Sequence, residues 1–154
     1  MLRKDREITD FKAIVDVLKR CDTLRLGLFG SDYPYVVPLS FGMCVEGNKV
    51  TLYFHGGPRG YKTELLAKNP QACVEGDIFL KVEPTEHGIT TRYESVIGFG
   101  KVEPVTGEEI ITGLQSIVDH YGFSTYQVKN CQGFPAVRVY KMVLTQITGK
   151  HNLK

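Results

Sequence analysis

Short connections between alternating runs limit what this chain can fold into more than any other feature. Thr23–Phe29 alternates apolar and polar residues with period two, Gly30-Ser31-Asp32 supplies turn chemistry, and Tyr33–Phe41 resumes the alternation, which reads as a hairpin. Glu46-Gly47-Asn48 is a second turn, and Val50–Phe54 a further strand behind it. Strands joined so closely run antiparallel, because a parallel pair needs a long crossover. More strands are expected at Gln71–Phe79, Thr91–Glu103 and Ala136–Ile147, with Gly76 as a candidate bulge. Residues 81–90 read as a loop or an excursion, since Glu83-Pro84 and His87-Gly88 interrupt any pattern.

Helices interrupt this series at three places. Residues 10–20 carry Phe11, Ile14, Val15 and Leu18 at helical spacing, with Asp10 or Thr9 as N-cap. Glu64–Lys68 reads as a short helix stopped by Asn69-Pro70. Thr106 and Glu109 fit a capping box, ahead of a stripe of Ile110, Leu114, Ile117, Val118 and Tyr121 closed by Gly122. Residues 123–134 are irregular, and Pro135 introduces the last strand. About six strands and three helices in this order predict a mainly β fold, a largely antiparallel sheet or small barrel with peripheral helices, and not a doubly wound parallel sheet.

At 154 residues without linker, repeat or low-complexity tract, the chain reads as a single domain, 1–154. Its 19 basic and 17 acidic residues leave a net charge of only +2, so there is no global field for nucleic acid or a membrane surface. Arg3, Lys4 and Arg6 at one end, and Lys150, His151 and Lys154 at the other, read as solvated termini. The four cysteines, Cys21, Cys44, Cys73 and Cys131, form no Cys-x-x-Cys pair and predict neither a metal site nor a redox dithiol. With no signal-peptide core and no membrane-length apolar run, a cytoplasmic protein with reduced thiols is the expectation.

Three local features point toward a ligand. The strand Val50–Phe54 feeds His55-Gly56-Gly57-Pro58-Arg59-Gly60-Tyr61-Lys62-Thr63, a glycine-rich loop that opens a helix. Such a loop directs several backbone N–H groups at one spot, beside the charge of Lys62, and so suits a phosphate; the alternative is a plain turn with a solvated lysine. The spacing is neither a P-loop nor a dinucleotide fingerprint. Pro38 cannot donate to a ladder, so its strand has an unpaired side or a bulge there, free to face a ligand or simply an edge. Gly98 and Gly100, on one face of their strand, require something bulky against the backbone, either a barrel corner or a flat ring.

Four segments together resemble a known family. Val37-Pro38-Leu39-Ser40-Phe41-Gly42, Leu52–Gly57 with Gly60-Tyr61-Lys62, Asn69-Pro70, and Tyr93–Gly100 stand in the order and spacing of the pyridoxamine 5'-phosphate oxidase-like flavin-binding split barrels, nearest the nitroimidazole-resistance branch. The resemblance covers roughly residues 10 to 148. It implies a six-stranded split barrel of the FMN-binding type, with FMN, or FAD as the alternative, at the interface of a homodimer. It implies that the backbone of Val37, Pro38, Leu39 and Ser40 lies along the flavin ring, that His55, Gly56, Gly57, Gly60 and Lys62 take the ribityl and phosphate end, and that Tyr93, Ser95 and Val96 lie near the ring, from the same or the partner subunit. His55 is the one nearby group that titrates near neutrality, so it either gives a proton to a reduced substrate or donates a hydrogen bond to the cofactor. Arg92 and Arg138 are only isolated candidates for a second phosphate, which favours reduction of a small oxidised molecule such as a nitroaromatic over vitamin oxidation. A non-catalytic flavin or haem carrier or sensor on the same barrel is the competing expectation.

Overall fold

The computed structural model describes residues 3–131 and 137–153. Eight strands form one antiparallel sheet: β1 (Glu7–Ile8), β2 (Leu24–Leu28), β3 (Tyr35–Leu39), β4 (Gly42–Glu46), β5 (Lys49–Gly56), β6 (Gln71–Thr85), β7 (Gly88–Pro104) and β8 (Arg138–Asn152). Three helices join them: α1 (Phe11–Arg20), α2 (Tyr61–Lys68) and α3 (Glu109–His120). The strand order is β3-β2-β6-β7-β8-β5-β4, with β1 paired to the far end of β8. The expected mainly β, antiparallel fold is what forms, with eight strands in place of six.

The extra strands have physical causes. The single run read over Tyr33–Phe41 breaks at Ser40–Phe41, and its halves go to opposite edges of the sheet. Phe41 turns fully inward at 1% exposure, and its N–H donates to the Tyr121 hydroxyl at 3.3 Å. Gly42 follows because α3 lies against it: a Cβ there would stand 2.3 Å from the Ile117 nitrogen. β1 is too short to show a period and exists through its pairing of Glu7 with Lys150 and Ile8 with Gly149.

Other expectations shift for similar reasons. Of the two alternatives for residues 81–90 the excursion forms: β6 and β7 continue through them as a hairpin, turning at Glu86–His87 just before Gly88 (φ 143°), and Pro84 is tolerated because its ribbon has free edges. Gly76 carries no bulge and pairs in register with Val96; its missing side chain makes room for Cys21 and Leu24, while the register slips at Leu80 instead. Thr106 does not cap α3, which starts at Glu109 without a side-chain cap. The Glu109 carboxylate is drawn to tertiary partners, accepting from Tyr53 Oη at 3.0 Å and pairing with Lys141 Nζ at 3.0 Å. Pro135 and Ala136, the expected start of the last strand, and Lys154 lie outside the described residues.

α1 forms as its spacing predicts: the Asp10 carboxylate accepts from the N–H groups of Lys12 and Ala13 at 3.3 and 3.2 Å. Its Ile14, Val15, Val17 and Leu18 close one end of the main core, where Leu26, Leu52 and Met142 have 1% exposure or less. Arg20 ties the helix to β7 by two hydrogen bonds to Glu94, at 2.6 and 3.0 Å. A second cluster lies on the outside of the sheet, where α3 covers Tyr53, Val105 and Val139. Among the described residues the outer wall is thus clothed over β4, β5 and the start of β8 and bare over β3, β2, β6 and β7.

Gly98 and Gly100 of β7 have the corner explanation. Thr145 bulges from β8 between the pairs Phe99–Gln146 and Gly100–Leu144, and a Cβ on Gly100 would stand 2.2 Å from the Val143 carbonyl oxygen. Leu144 fills the space beside Gly98, 3.0 Å from where its Cβ would be.

Candidate functional site: a cationic rim and a bare wall

The glycine-rich segment forms a cationic rim. β5 ends at Gly56, a turn follows, and Gly60 opens α2 with φ 141°, a conformation side chains disfavour. The first bond within the helix is Glu64 N–H to Gly60 O at 3.1 Å, and no side chain caps the end. The N–H groups of Tyr61, Lys62 and Thr63 therefore lack intrahelical partners and face outward with the positive end of the helix dipole.

Lys62 folds back over this rim. Its Nζ donates to the His55 carbonyl oxygen at 3.4 Å and sits 5.4 Å from the centre of the Phe54 ring. A Cβ on Gly56 would stand 3.0 Å from that Nζ, so the absence of a side chain at Gly56 makes the fold-back feasible. Arg138, opposite Gly56 in the β5–β8 register, brings a second cation. Neither has an ion-pair partner among the described residues, and burial pushes the Lys62 ammonium below its ordinary pKa. The Tyr140 hydroxyl donates to Thr63 Oγ1 at 3.3 Å and bolts the helix start to β8.

His55 ends β5 on the side of Tyr53, opposite Phe54 and Gly56, so its imidazole points to the outer wall while its carbonyl serves Lys62. Its surface stays exposed, yet the protein crowded around it, and then the charge of Lys62, lower its pKa.

β3 is an edge strand, paired only with β2. Pro38 and Ser40 are exposed, whereas Val37 and Leu39 turn to the main core and offer a ligand only their backbone. Tyr35 at the head of β3 meets Tyr61 edge to face at 5.0 Å, so β3 and the cationic rim are neighbours.

Tyr93, Ser95 and Val96 are elsewhere. Val96 is core, with 2% exposure, and Ser95 faces outward, paired with Asp77 and Lys150. Tyr93 has Lys150 Nζ 5.8 Å from its ring centre; burial pushes its hydroxyl up, but Lys150 and Arg6 outweigh that and leave its pKa below the ordinary value. His55 pairs with Val139, whose carbonyl accepts from Val105 N–H. Ser95 lies about ten residues back along β7, on the order of 30 Å at ~3.3 Å per residue. The rim of one chain does not include these three, which the resemblance placed near the flavin ring and not at its phosphate end.

The bare wall carries what the sequence reading missed. One row across it runs Val36, Gly27, Cys73, Phe99 and Gln146, and the next runs Pro38, Arg25, Glu75, Ile97 and Thr148. Phe29 (63% exposed), Tyr33 (82%) and Phe99 (45%) line a cavity of about 1040 Å³ with Cys73, Lys101 and Thr145. Exposed aromatics in a turn, Phe29 and Tyr33, were the available signal. Burial raises the Cys73 thiol, so no thiolate stands there. Among the described residues no group of His, Cys, Asp and Glu is placed to hold a metal, and no helix is long and apolar enough to cross a membrane.

An antiparallel split barrel with a cationic rim beside an edge strand is a fold class with known relatives. The chain belongs to the pyridoxamine 5'-phosphate oxidase family, whose sequence model matches residues 10–151. It is similar to a candidate 5-nitroimidazole antibiotic resistance protein of Bacteroides thetaiotaomicron, at 32% identity over 94% of this chain and 86% of that one, with a TM-score of 0.80. The fold is shared with an FAD- and haem-binding protein of Mycobacterium smegmatis (17% identity, 96% of this chain and 73% of that one, TM-score 0.79). It is shared too with an FAD-binding protein of Mesorhizobium loti (21%, 96% and 97%, TM-score 0.65). No curated protein matches the sequence.

Proposed function

We propose that the protein is a flavin-dependent oxidoreductase that holds FMN and reduces a small oxidised substrate, a nitroaromatic such as a nitroimidazole. The cationic rim carries this reading: three N–H groups without helical partners, with Lys62 and Arg138 beside them and no carboxylate to neutralise either among the described residues. That donor set fits a phosphate monoester, the group FMN ends in, and fits the diphosphate of FAD as well. The resistance-protein relative supports the substrate class, and the FAD-binding proteins of the same fold support a flavin.

When bound, the flavin would supply the electron transfer. The chain's own part is to bind and orient. Lys62, Arg138 and the start of α2 would hold the phosphate, and the free edge of β3 would offer N–H and C=O groups to the polar edge of the ring. A homodimer is part of this reading, supported by the bare wall, which exposes apolar surface that a second copy would cover.

Oxidation of pyridoxamine phosphate is disfavoured. It needs a second phosphate site, and Arg92, one of two arginines available for it, is held by Glu83 at 2.5 Å and by Asn152 at 3.2 Å, while Arg138 belongs to the rim.

The purified protein is expected to be yellow, or to become so with FMN, and to reduce a nitroimidazole with a chemical or nicotinamide reductant. Tight flavin binding with no turnover for any donor would assign the carrier role instead, and failure to bind any flavin would remove the proposal. His55→Ala separates the two roles of that residue. Because burial and Lys62 lower its pKa, the imidazole is uncharged at neutral pH and charges only under more acidic conditions. If it gives the proton, turnover per bound flavin rises as pH falls through that pKa, and the alanine variant loses this rise together with roughly ten- to a hundred-fold of its rate. If the variant loses flavin affinity while turnover per bound flavin holds, His55 serves the cofactor alone.

A further inference from the structure

β4 ends the sheet on the side away from β3, and among the described residues only β5 pairs with it. Glu46 and Lys49 close a two-residue turn at Gly47-Asn48, so they exchange hydrogen bonds in the β4–β5 register, as do Cys44 with Thr51 and Gly42 with Tyr53. The N–H and C=O groups of Met43 and Val45 therefore point away from β5. Phe41 keeps the same alternation, since its N–H, two positions before Met43, donates to the Tyr121 hydroxyl at 3.3 Å. Met43 and Val45 have no such partner among the described residues.

This edge looks into a trough. A cavity of about 670 Å³, within the range typical of ligand sites, has Met43 and Cys44 on one side, Thr112, Gln115 and Asp119 of α3 on the other, and Lys19 of α1 at its border. The three α3 residues stand three and four positions apart and so share one helix face. Gln115 fixes that wall. Its Nε2 donates to Asp119 Oδ1 and to the Tyr126 carbonyl, both at 2.9 Å, and its Oε1 accepts from Val128 N–H at 3.1 Å. A row of backbone donors and acceptors beside a helix wall is what an extended chain needs to join a sheet as an added strand.

The trough is closed at the Phe41 end. Tyr121 Oη donates to the Asp22 carbonyl at 2.7 Å, and His120 Nε2 donates to the Cys21 carbonyl at 2.9 Å, which ties the end of α3 to the exit of α1. A strand laid on Val45 and Met43 meets this tie and has to stop, so the segment that fits is a chain terminus. Lys19, in the last turn of α1 two residues before Cys21, makes no ion pair among the described residues and favours a carboxylate end over an ammonium end.

We propose that the trough docks the C-terminal tail of another polypeptide, added to β4 as an antiparallel strand with its last residue opposite Met43 and its carboxylate on Lys19. Alternation sends the last and third-last side chains to the side of Met43 and Val45, where Val45 is 38% exposed, and calls for apolar residues there. The residue between them lies opposite Cys44, faces Asp119 and calls for a cation. The site shares no residue with the cationic rim and does not rest on the flavin reading.

The probe is the fluorescein-labelled tetrapeptide Ser-Val-Lys-Val with a free carboxylate, titrated into the full chain and followed by anisotropy beside its C-terminal amide. One peptide is expected to bind per chain, with the amide at least ten-fold weaker. No saturable binding, or equal binding of acid and amide, overturns the proposal. Val45→Pro removes an N–H that the β4–β5 ladder does not use, a change that edge strands tolerate, and is expected to weaken the peptide at least ten-fold. Should that variant fail to fold, Lys19→Glu, at an exposed position of α1, decides with the same expected loss, and unchanged affinity overturns the carboxylate contact. Amide exchange read by nuclear magnetic resonance separates strand addition from mere adhesion. Saturating peptide is expected to slow exchange at Met43 and Val45 at least ten-fold while leaving Cys44, already bonded to Thr51, as it was; unchanged rates at Met43 and Val45 overturn the added strand.

Discussion

Lys62→Ala is expected to weaken FMN binding by roughly ten- to a hundred-fold while leaving the unfolding midpoint unchanged. A hydrogen bond to a charged group contributes about 1.5–3 kcal/mol, and here the partner would be a phosphate beside a helix start. The folded chain gives the ammonium only a carbonyl and an aromatic face, so its removal breaks no ion pair among the described residues. The pH dependence has a definite sign. Burial lowers the Lys62 pKa, so affinity for the phosphate falls as pH rises through that lowered value, earlier than an exposed lysine would allow. Binding should raise the pKa again, seen as proton uptake in alkaline buffer. Calorimetric titrations of wild type and variant across that range check both points; equal affinities at every pH would remove Lys62 from the site.

Gly42→Ala is expected to be among the most damaging single methyls in the fold, costing about 3 kcal/mol or more. Its Cβ would stand 2.3 Å from the Ile117 nitrogen, the Ser116 carbonyl carbon and the Ser116 hydroxyl oxygen. Two of these three are helix backbone, which cannot rotate aside, so α3 must lift from β4. That would unpack the cluster of Tyr53, Leu114, Ile117 and Val139 and loosen the hydrogen bond from Phe41 N–H to Tyr121 at the strand break. Denaturant unfolding measures the loss, and near-ultraviolet circular dichroism reports Tyr53 and Tyr121. A variant as stable as the parent would mean that α3 does not rest on this glycine.

What could be read before the structure was local. The stripe and cap of α1, the Asn69-Pro70 stop and the glycine-rich entry to α2 are each decided by residues a few positions apart, and each forms where its chemistry places it. Features decided by register or by distant partners were hidden. Arg138 looked isolated because nothing in its neighbourhood announces that Gly56 lies across the ladder. The break at Ser40–Phe41 depends on α3, far along the chain, and Glu109 leaves its capping role for Tyr53 and Lys141. Pro84 and Gly88 carry the marks of a loop, yet a ribbon with free edges accepts both. The candidate site divides in the same way. Its loop and its edge strand were legible, whereas the separation of Ser95 from His55 emerges only when the ladders are followed across β5, β8 and β7.

The central claim is that the rim at Gly56–Lys62 grips the phosphate of a flavin. The most direct measurement compares FMN with riboflavin, which has the same ring and no phosphate, by titrating each into the purified protein and following flavin fluorescence. The account predicts one FMN per chain, bound at least about a hundred-fold more tightly than riboflavin, from the summed charge-assisted contacts of Lys62, Arg138 and the helix start. Equal affinities for the two, or no binding of either, would contradict it.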